Sequence, residues 1–520
     1  SSGNYEVTTP LNFINGARVD SIDPVELIDV IEPATGKVIC QMPESGTSDV
    51  NEAIKSSRQA QVAWADLSGF ERGKLLSKSA LLLKQVVDNE NHNKRSIKNP
   101  ACHALPVEIK QKQEEIARIE VYDTGKPIQE ARMDVQTAID ALEYYGGIAS
   151  TICGQHFNLS NGSFGYTRRE PLGVVAAIGA WNYPIQIAAW KAAPALAGGN
   201  SVVCKPSQFT PLSAVSLAEV FTEAGFPLGL FNVVQGGAVT GNTLTGHKGV
   251  AKVTFTGSVE TGSKVMGSCA RDIRHVTLEL GGKSPLILFN DCDITNAING
   301  ALNANFFSQG QVCSNGTRVF IHKDIYEEVV GNLVQRTQAI KHGDPHHEQT
   351  KMGAMINPQH ADKVMGFIER ARQEGAEILC GGELVKMEDP VLHGGSYISP
   401  CIISEYCFDE MEISREETFG PVMNVYSFQS EEEVVRRANH SKYGLASGVF
   451  TNDLKRAHRV AAKMEAGSCY VNNYNIFPME MPFGGFKQSG LGRENGTVTM
   501  DYFTQLKTVY FEMNDVDSPF

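Results

Sequence analysis

The sequence predicts an α/β protein whose sheets are mainly parallel and covered by helices on both faces. Three observations carry that expectation. Short runs of Val, Ile, Leu and Phe alternate with helix-period segments through most of the chain. Gly and Pro punctuate the changeovers. The length of 520 residues gives a prior of about three or four structural units, enough to bury a large core without a disulfide or metal.

The elements follow in order. Residues 48–62 place Val50, Ala53 and Ile54 at helical spacing behind Ser and Asp cap candidates. Helices are expected over 74–87 and 112–122. Between them, 88–109 is polar, holds two Pro and lacks a sustained period, so it reads as a surface insertion. Residues 173–179 (GVVAAIG) read as a buried strand and 185–197 as a helix. A short strand over 202–205 ends at Pro206, and a helix over 211–224 starts with Pro and closes at Gly225. Residues 232–234 and 250–256 read as strands, and a further helix opens after Gly257-Ser258. A second alternating series runs from 284 to 480, and there is no internal repeat.

Composition narrows the function. With 42% hydrophobic and 20% charged residues, the chain is neither a disordered tail, a fibrous repeat nor a small secreted scaffold. Lys plus Arg number 46 against 59 Asp plus Glu, and a net charge of −13 argues against nucleic acid as a partner. The 11 Cys are odd in number and form no CxxC pair, so neither a disulfide framework nor a metal site is expected. Free thiols in a reducing compartment are. The start, Ser1-Ser2-Gly3-Asn4, has neither the basic nor the apolar part of a signal peptide. The longest apolar stretch, 173–199, is interrupted by Asn182, Pro184, Gln186 and Lys191, which makes it a poor membrane span. A cytoplasmic protein with no membrane partner is the expectation.

Several clusters bear chemistry. In VTLELGGKSP (276–285), Glu279 ends a strand-like run before Gly281-Gly282, where a carboxylate can act as a general base or simply bond turn amides. In 305–320, Cys313 sits in a Gly-flanked turn where backbone donors can activate a thiol, against the plainer reading of a small core residue. Asn182 lies where a buried strand meets a turn, and its amide can donate to a developing oxyanion. Lys205 ends the next strand, on the side where open parallel sheets bind ligands. In KVTFTGSVETG (252–262), a strand, a Gly-Ser turn and a helix start offer free amides to a phosphate, although no GxGxxG is present. Glu416-Glu417 and Phe419 precede a Gly-Pro turn, and 481–495 is a Gly-rich loop too apolar for a plain linker.

The ordered motifs WNYP (181–184), KPS (205–207), FTGS (255–258), ELGGK (279–283), GQVC (310–313), ETFGP (417–421) and PFGG (482–485) resemble the aldehyde dehydrogenase superfamily from about residue 30 to the end. Residues 162–174, 315–320, 472–486 and 501–520 are similar to its betaine aldehyde and 4-trimethylaminobutyraldehyde dehydrogenase branch. The resemblance implies a discontinuous Rossmann-like cofactor domain (1–148 and 171–279), an α/β catalytic domain (280–485) and a small β oligomerisation element (149–170 and 486–520). It implies a homotetramer acting on a small aldehyde. Cys313 matches the nucleophile, Asn182 with the Cys313 amide the oxyanion hole, Glu279 the base for the hydrolytic water and Glu494 a proton-relay acid. Lys205, Ser207 and Gln208 match the adenosine-ribose end of the cofactor, and Ser258 its pyrophosphate. Glu417 and Phe419 match a clamp on the nicotinamide ribose, and Trp181, Gly257 and Leu280 line the path. Tyr183, Trp190, Tyr474 and Phe477 fall around the implied substrate tunnel, where aromatic faces suit a trimethylammonium group. Gln208 replaces a Glu found in many NAD-using members, so NAD is the expected cofactor with NADP usable. The alternatives are a broad aliphatic or amino-aldehyde dehydrogenase, a relative that passes the acyl group to CoA, and a non-enzymatic structural protein on the same fold.

Overall fold

The structure, a computed structural model, describes residues 9–84, 111–404 and 409–520; the expected insertion at 88–109 lies outside them. Two large sheets dominate. The first runs in the order Gly490–Leu491, His275–Glu279, Lys252–Thr256, Val174–Ile178, Ser201–Lys205, Phe231–Val233, Asn12–Ile14, Ala17–Val19, and its five central strands are parallel. The strands Val174–Ile178 and Ser201–Lys205 are buried at every residue, as strands covered on both faces must be. The second sheet runs Ile378–Cys380, Cys401–Ile403, Val422–Phe428, Arg318–His322, Pro285–Leu288, Ala446–Phe450, Ser468–Val471, and is parallel except at its first pair.

Most of the expected elements form within a residue or two of their predicted ends. The helix Leu212–Ala224 closes on Gly225 at φ 97°, a left-handed cap that suits glycine. The helix Val259–Arg271 is capped by the Ser258 hydroxyl, which accepts from the Thr261 amide at 3.2 Å. The first long helix, Thr47–Asp66, departs from the Ser or Asp cap: Gly46 is its N-cap, and Asp49 reaches back to accept the Gly46 amide at 3.3 Å. The helix Pro184–Ala197 is buried on nearly its whole circumference, so it reads as apolar all round.

Residues His156–Asn158, Phe164–Pro171 and Thr504–Phe511 form a separate antiparallel three-stranded sheet. Phe157, Leu159, Leu506, Tyr510 and Phe511 are exposed on or beside it. The two-residue strand Gly490–Leu491 pairs with Leu278 and Glu279 and so ties the C-terminal segment to the first sheet. Among the described residues no helix is long and apolar enough to cross a membrane, and no cluster of three His, Cys, Asp or Glu could hold a metal.

Candidate active site

The two large sheets face each other across two adjoining clefts, and the chemistry-bearing residues meet there. One cleft, of about 190 Å³, is lined by Trp181, Gly257, Ser258, Leu280, Gly281, His360, Lys363, Glu417 and Phe419. The other, of about 320 Å³, is lined by Tyr183, Trp190, Phe307, Tyr474, Phe477 and Phe483 together with Asp134 and Glu494. Asn182, Thr256, Glu279 and Cys313 line both.

Each of these four is delivered by a strand end or a constrained turn. Thr256 and Glu279 are register partners at the ends of adjacent parallel strands. Cys313 follows a turn in which Ser308, Gln309 and Gly310 take φ values of 51°, 56° and 71°. Non-glycine residues in that region cost about 1–3 kcal/mol each and persist only when their surroundings hold them. Here the Ser308 amide donates to Glu130 at 2.7 Å and the Gln309 side-chain amide donates to the Ala354 carbonyl at 2.7 Å. Gly310 also has no room for a side chain, since a Cβ would lie 2.1 Å from the Gly420 carbonyl oxygen. Asn182 is 5% exposed, and its amide nitrogen donates to the Gln311 carbonyl at 2.9 Å. That bond aims the side chain at the Cys313 loop and leaves the second amide hydrogen for another acceptor.

The electrostatics are those of a desolvated site. Burial first, then Glu417 and Glu279, pushes the Cys313 thiol up. Glu279 is 3% exposed, and neither carboxylate oxygen has a hydrogen-bond partner among the described residues. Burial, reinforced by nearby Glu494, holds its carboxyl well above the ordinary range. A Cβ on Gly484 would come within 2.9 Å of Glu279 Oε1, so the Gly-rich loop gives that carboxylate its space. Behind it, Glu494 forms a buried ion pair with Lys191 at 2.5 Å, and Lys191 also donates to Thr254 at 3.2 Å.

The smaller cleft suits a dinucleotide. The N-terminus of a 13-residue helix opens at Ser258, where free amides can meet a pyrophosphate. Glu417 accepts the Gly282 amide at 3.0 Å, and a Cβ on Gly281 would strike it at 2.2 Å, so the glycine pair cradles the carboxylate. Burial pushes Glu417 up to about 7. Phe419, at φ 55°, packs edge-on to Trp181 at 5.1 Å, and its carbonyl oxygen accepts from His360 Nε2 at 2.7 Å.

The sequence-predicted residues thus fall into three places. Cys313, Glu279, Asn182 and Glu494 come together with the aromatics Tyr183, Trp190, Tyr474 and Phe477. Trp181, Gly257, Ser258, Leu280, Glu417 and Phe419 line the adjoining cleft. Lys205, Ser207 and Gln208 lie outside both, at the end of the next strand of the same sheet. Lys205 donates to the carbonyls of Pro206 and Gly236, and burial lowers it to about 8. Tyr474 is tied by its hydroxyl to the Ser314 carbonyl at 2.8 Å, so it braces the Cys313 loop as well as lining the cleft. Sequence reasoning missed Thr256, His360 and Lys363. It also passed over Lys191 as a mere interruption of an apolar run, although a lysine inside so apolar a helix was the available signal.

The profile of the aldehyde dehydrogenase family matches residues 19–92 and 101–509, and the chain belongs to that family. Among individual relatives, it is 53% identical to 4-trimethylaminobutyraldehyde dehydrogenase of Oryzias latipes, over 100% of this chain and 98% of the relative. The NAD+ complex of an aldehyde dehydrogenase from Bacillus cereus superposes with a TM-score of 0.89 at 38% identity, covering 98% of this chain and 97% of that one. A betaine aldehyde dehydrogenase from Staphylococcus aureus in complex with NAD+ superposes with a TM-score of 0.89 at 34% identity, covering 99% and 97%.

Proposed function

We propose that this chain oxidises a quaternary-ammonium aldehyde, such as betaine aldehyde or 4-trimethylaminobutyraldehyde, irreversibly to its carboxylic acid with NAD as cofactor. The observation that carries the reading is the meeting of the two clefts at Cys313, Glu279, Asn182 and Thr256. NAD bound against Ser258, Glu417 and Phe419 supplies the hydride acceptor. The protein does the rest. Cys313 gives up its thiol proton through water to Glu279 and on to solvent as its sulfur bonds to the aldehyde carbon, giving a thiohemiacetal whose oxygen is held by the Asn182 amide and the Cys313 backbone amide. Loss of hydride leaves a thioester. Glu279 takes a proton from a water that attacks this carbon, the acid leaves and the thiol is restored. Glu494, held by its ion pair with Lys191, is the carboxylate beside Glu279 that can exchange protons with it between turnovers.

The substrate class rests on the walls of the larger cleft. Six aromatic residues line it; its three acidic ones add little net charge, since Asp134 is paired with Lys126, Glu494 with Lys191, and burial raises Glu279, so the aromatic faces carry the argument. Trp190, Phe477 and Phe483 pack edge-on to one another with centroids 5.2–6.2 Å apart. Aromatic faces attract a desolvated cation by about 0.5–2 kcal/mol each. The test is a kinetic panel pairing the trimethylammonium aldehyde with its neutral tert-butyl isostere. The charged substrate should have the higher kcat/KM, and Trp190→Leu should narrow the gap. Equal turnover by the unmutated enzyme would make a broad aliphatic aldehyde dehydrogenase the better description.

The same proposal extends to organisation. The proposed division into cofactor, catalytic and oligomerisation parts draws support from the eight-, seven- and three-stranded sheets, except that Gly490–Leu491, inside the expected oligomerisation element, pairs into the first sheet and goes with the cofactor part; the exposed apolar residues of the three-stranded sheet favour a homotetramer built on its edges. The nine free cysteines among the described residues favour the cytoplasm.

A further inference from the structure

Two buried residues of the helix Ile128–Ile148, Glu130 and Asp134, lie close to the reaction centre, and a third, Lys126, sits just before its N-cap Pro127. Glu130 and Asp134, four apart, share one face of the helix. Lys126 is 1% exposed and forms a buried ion pair with Asp134. Its ammonium also donates to the Asn182 backbone carbonyl at 2.7 Å and lies 3.9 Å from the centre of the Tyr183 ring. One turn further on, Glu130 accepts the Ser308 amide at 2.7 Å, at the start of the left-handed turn that leads to Cys313. The Asn182 side chain itself reaches the Gln311 carbonyl, which closes a triangle of helix, Asn182 loop and Cys313 loop.

Stability alone is a poor explanation for this arrangement. Buried ion pairs are costly to desolvate, and apolar residues of similar size usually serve packing as well or better. What the charged atoms add is direction, since each ends on a backbone group of one catalytic loop. We propose that Lys126 and Glu130 are positioning residues that fix the distance between the oxyanion-binding amide of Asn182 and the Cys313 thiol. The proposal rests on the roles given above to Asn182 and Cys313. Small displacements of groups that must meet a reacting carbon are expensive, and a shift of about 1 Å can cost a hundredfold in rate.

The test uses the full-length enzyme with saturating NAD and aldehyde. Lys126→Met combined with Asp134→Leu removes both members of the ion pair, and Glu120 and Glu130, whose carboxyls lose the nearby ammonium, stay in place. It should lower kcat by about tenfold to a hundredfold and leave NAD affinity within about twofold. Because Lys126 acts through Asn182, the same pair of changes should cost nothing further in an Asn182→Ala background. A kcat within twofold of the parent, or an equal loss in both backgrounds, would overturn the proposal. The Glu130 arm stands alone if the paired variant does not fold. Glu130→Gln keeps an acceptor for the Ser308 amide and should retain activity within about twofold, while Glu130→Leu should lose about tenfold in kcat. Equal rates for those two would overturn the assignment. An undiminished rate in Asn182→Ala alone would instead strike the oxyanion reading beneath it, a separate result read in a separate variant.

Discussion

Replacing Glu279 by Gln separates the two halves of the proposed reaction. The change is nearly isosteric, and neither carboxylate oxygen has a protein partner to lose. The fold should therefore tolerate it. The rate of thioester hydrolysis should not, because general-base assistance contributes about 10²–10⁴-fold. Hydride transfer precedes the water's attack and should survive. The expected record is a burst of reduced cofactor near one equivalent per site, a steady state slower by about that factor, and a protein mass raised by one acyl group. The pH dependence sharpens the test. Burial and Glu494 raise the Glu279 carboxyl, so the carboxylate needed as base grows with pH. Hydrolysis in the parent enzyme should climb by about tenfold per pH unit until the group has titrated, and that limb should vanish in the variant. Stability carries the opposite sign. A carboxyl raised in the folded state binds its proton more tightly there, so its contribution is lost as pH rises, and Glu279→Gln should gain stability relative to the parent toward alkaline pH. An unchanged steady-state rate with the same pH limb would refute the reasoning and move the base elsewhere, with Glu494 next in line.

Three further outcomes can be checked directly. Cys313→Ala should leave less than a few per cent of the turnover while NAD binding, followed by titration, stays near normal. Gln208→Glu should penalise NADP more than NAD by about 1 kcal/mol, roughly fivefold in kcat/KM, because the new carboxylate joins Glu44 beside Gly237 and repels a 2′-phosphate; equal effects on both cofactors would show that residue 208 does not face the ribose. Gly310→Ala should destabilise the protein by about 1–3 kcal/mol or more in denaturant unfolding, since the added methyl meets the Gly420 carbonyl at 2.1 Å.

Much of this architecture was readable in the chain itself. The first parallel sheet could be drawn because its strands Val174–Ile178 and Ser201–Lys205 are fully buried and largely apolar, and because Pro206, Gly225 and the Gly257-Ser258 turn mark where each element stops. Cys313, Glu279 and Asn182 could be picked out because each sits where a run of apolar residues meets a turn. Contacts between distant segments were not legible. Lys191 and Glu494 lie 303 residues apart, and Lys126 reaches Asn182 across 56, with no local pattern to announce either bond. His360 enters the cofactor cleft from the start of an ordinary amphipathic helix, Pro358–Gln373. Gly46 could not be read as an N-cap because its cap is made in reverse, by the Asp49 side chain.

The last stitch of the first sheet has a consequence for how the enzyme comes into being. Gly490–Leu491 is laid against the end of the strand that carries Glu279, and Glu494 follows a few residues later. A ribosome making this chain completes the nucleophile, the water-activating residue and nearly all the cofactor contacts long before it reaches that segment. Until then the nascent protein holds its thiol and its carboxyl without the wall that encloses them. The proposed turnover therefore depends on this late-sequence segment, which leads straight on to the exposed strand Thr504–Phe511.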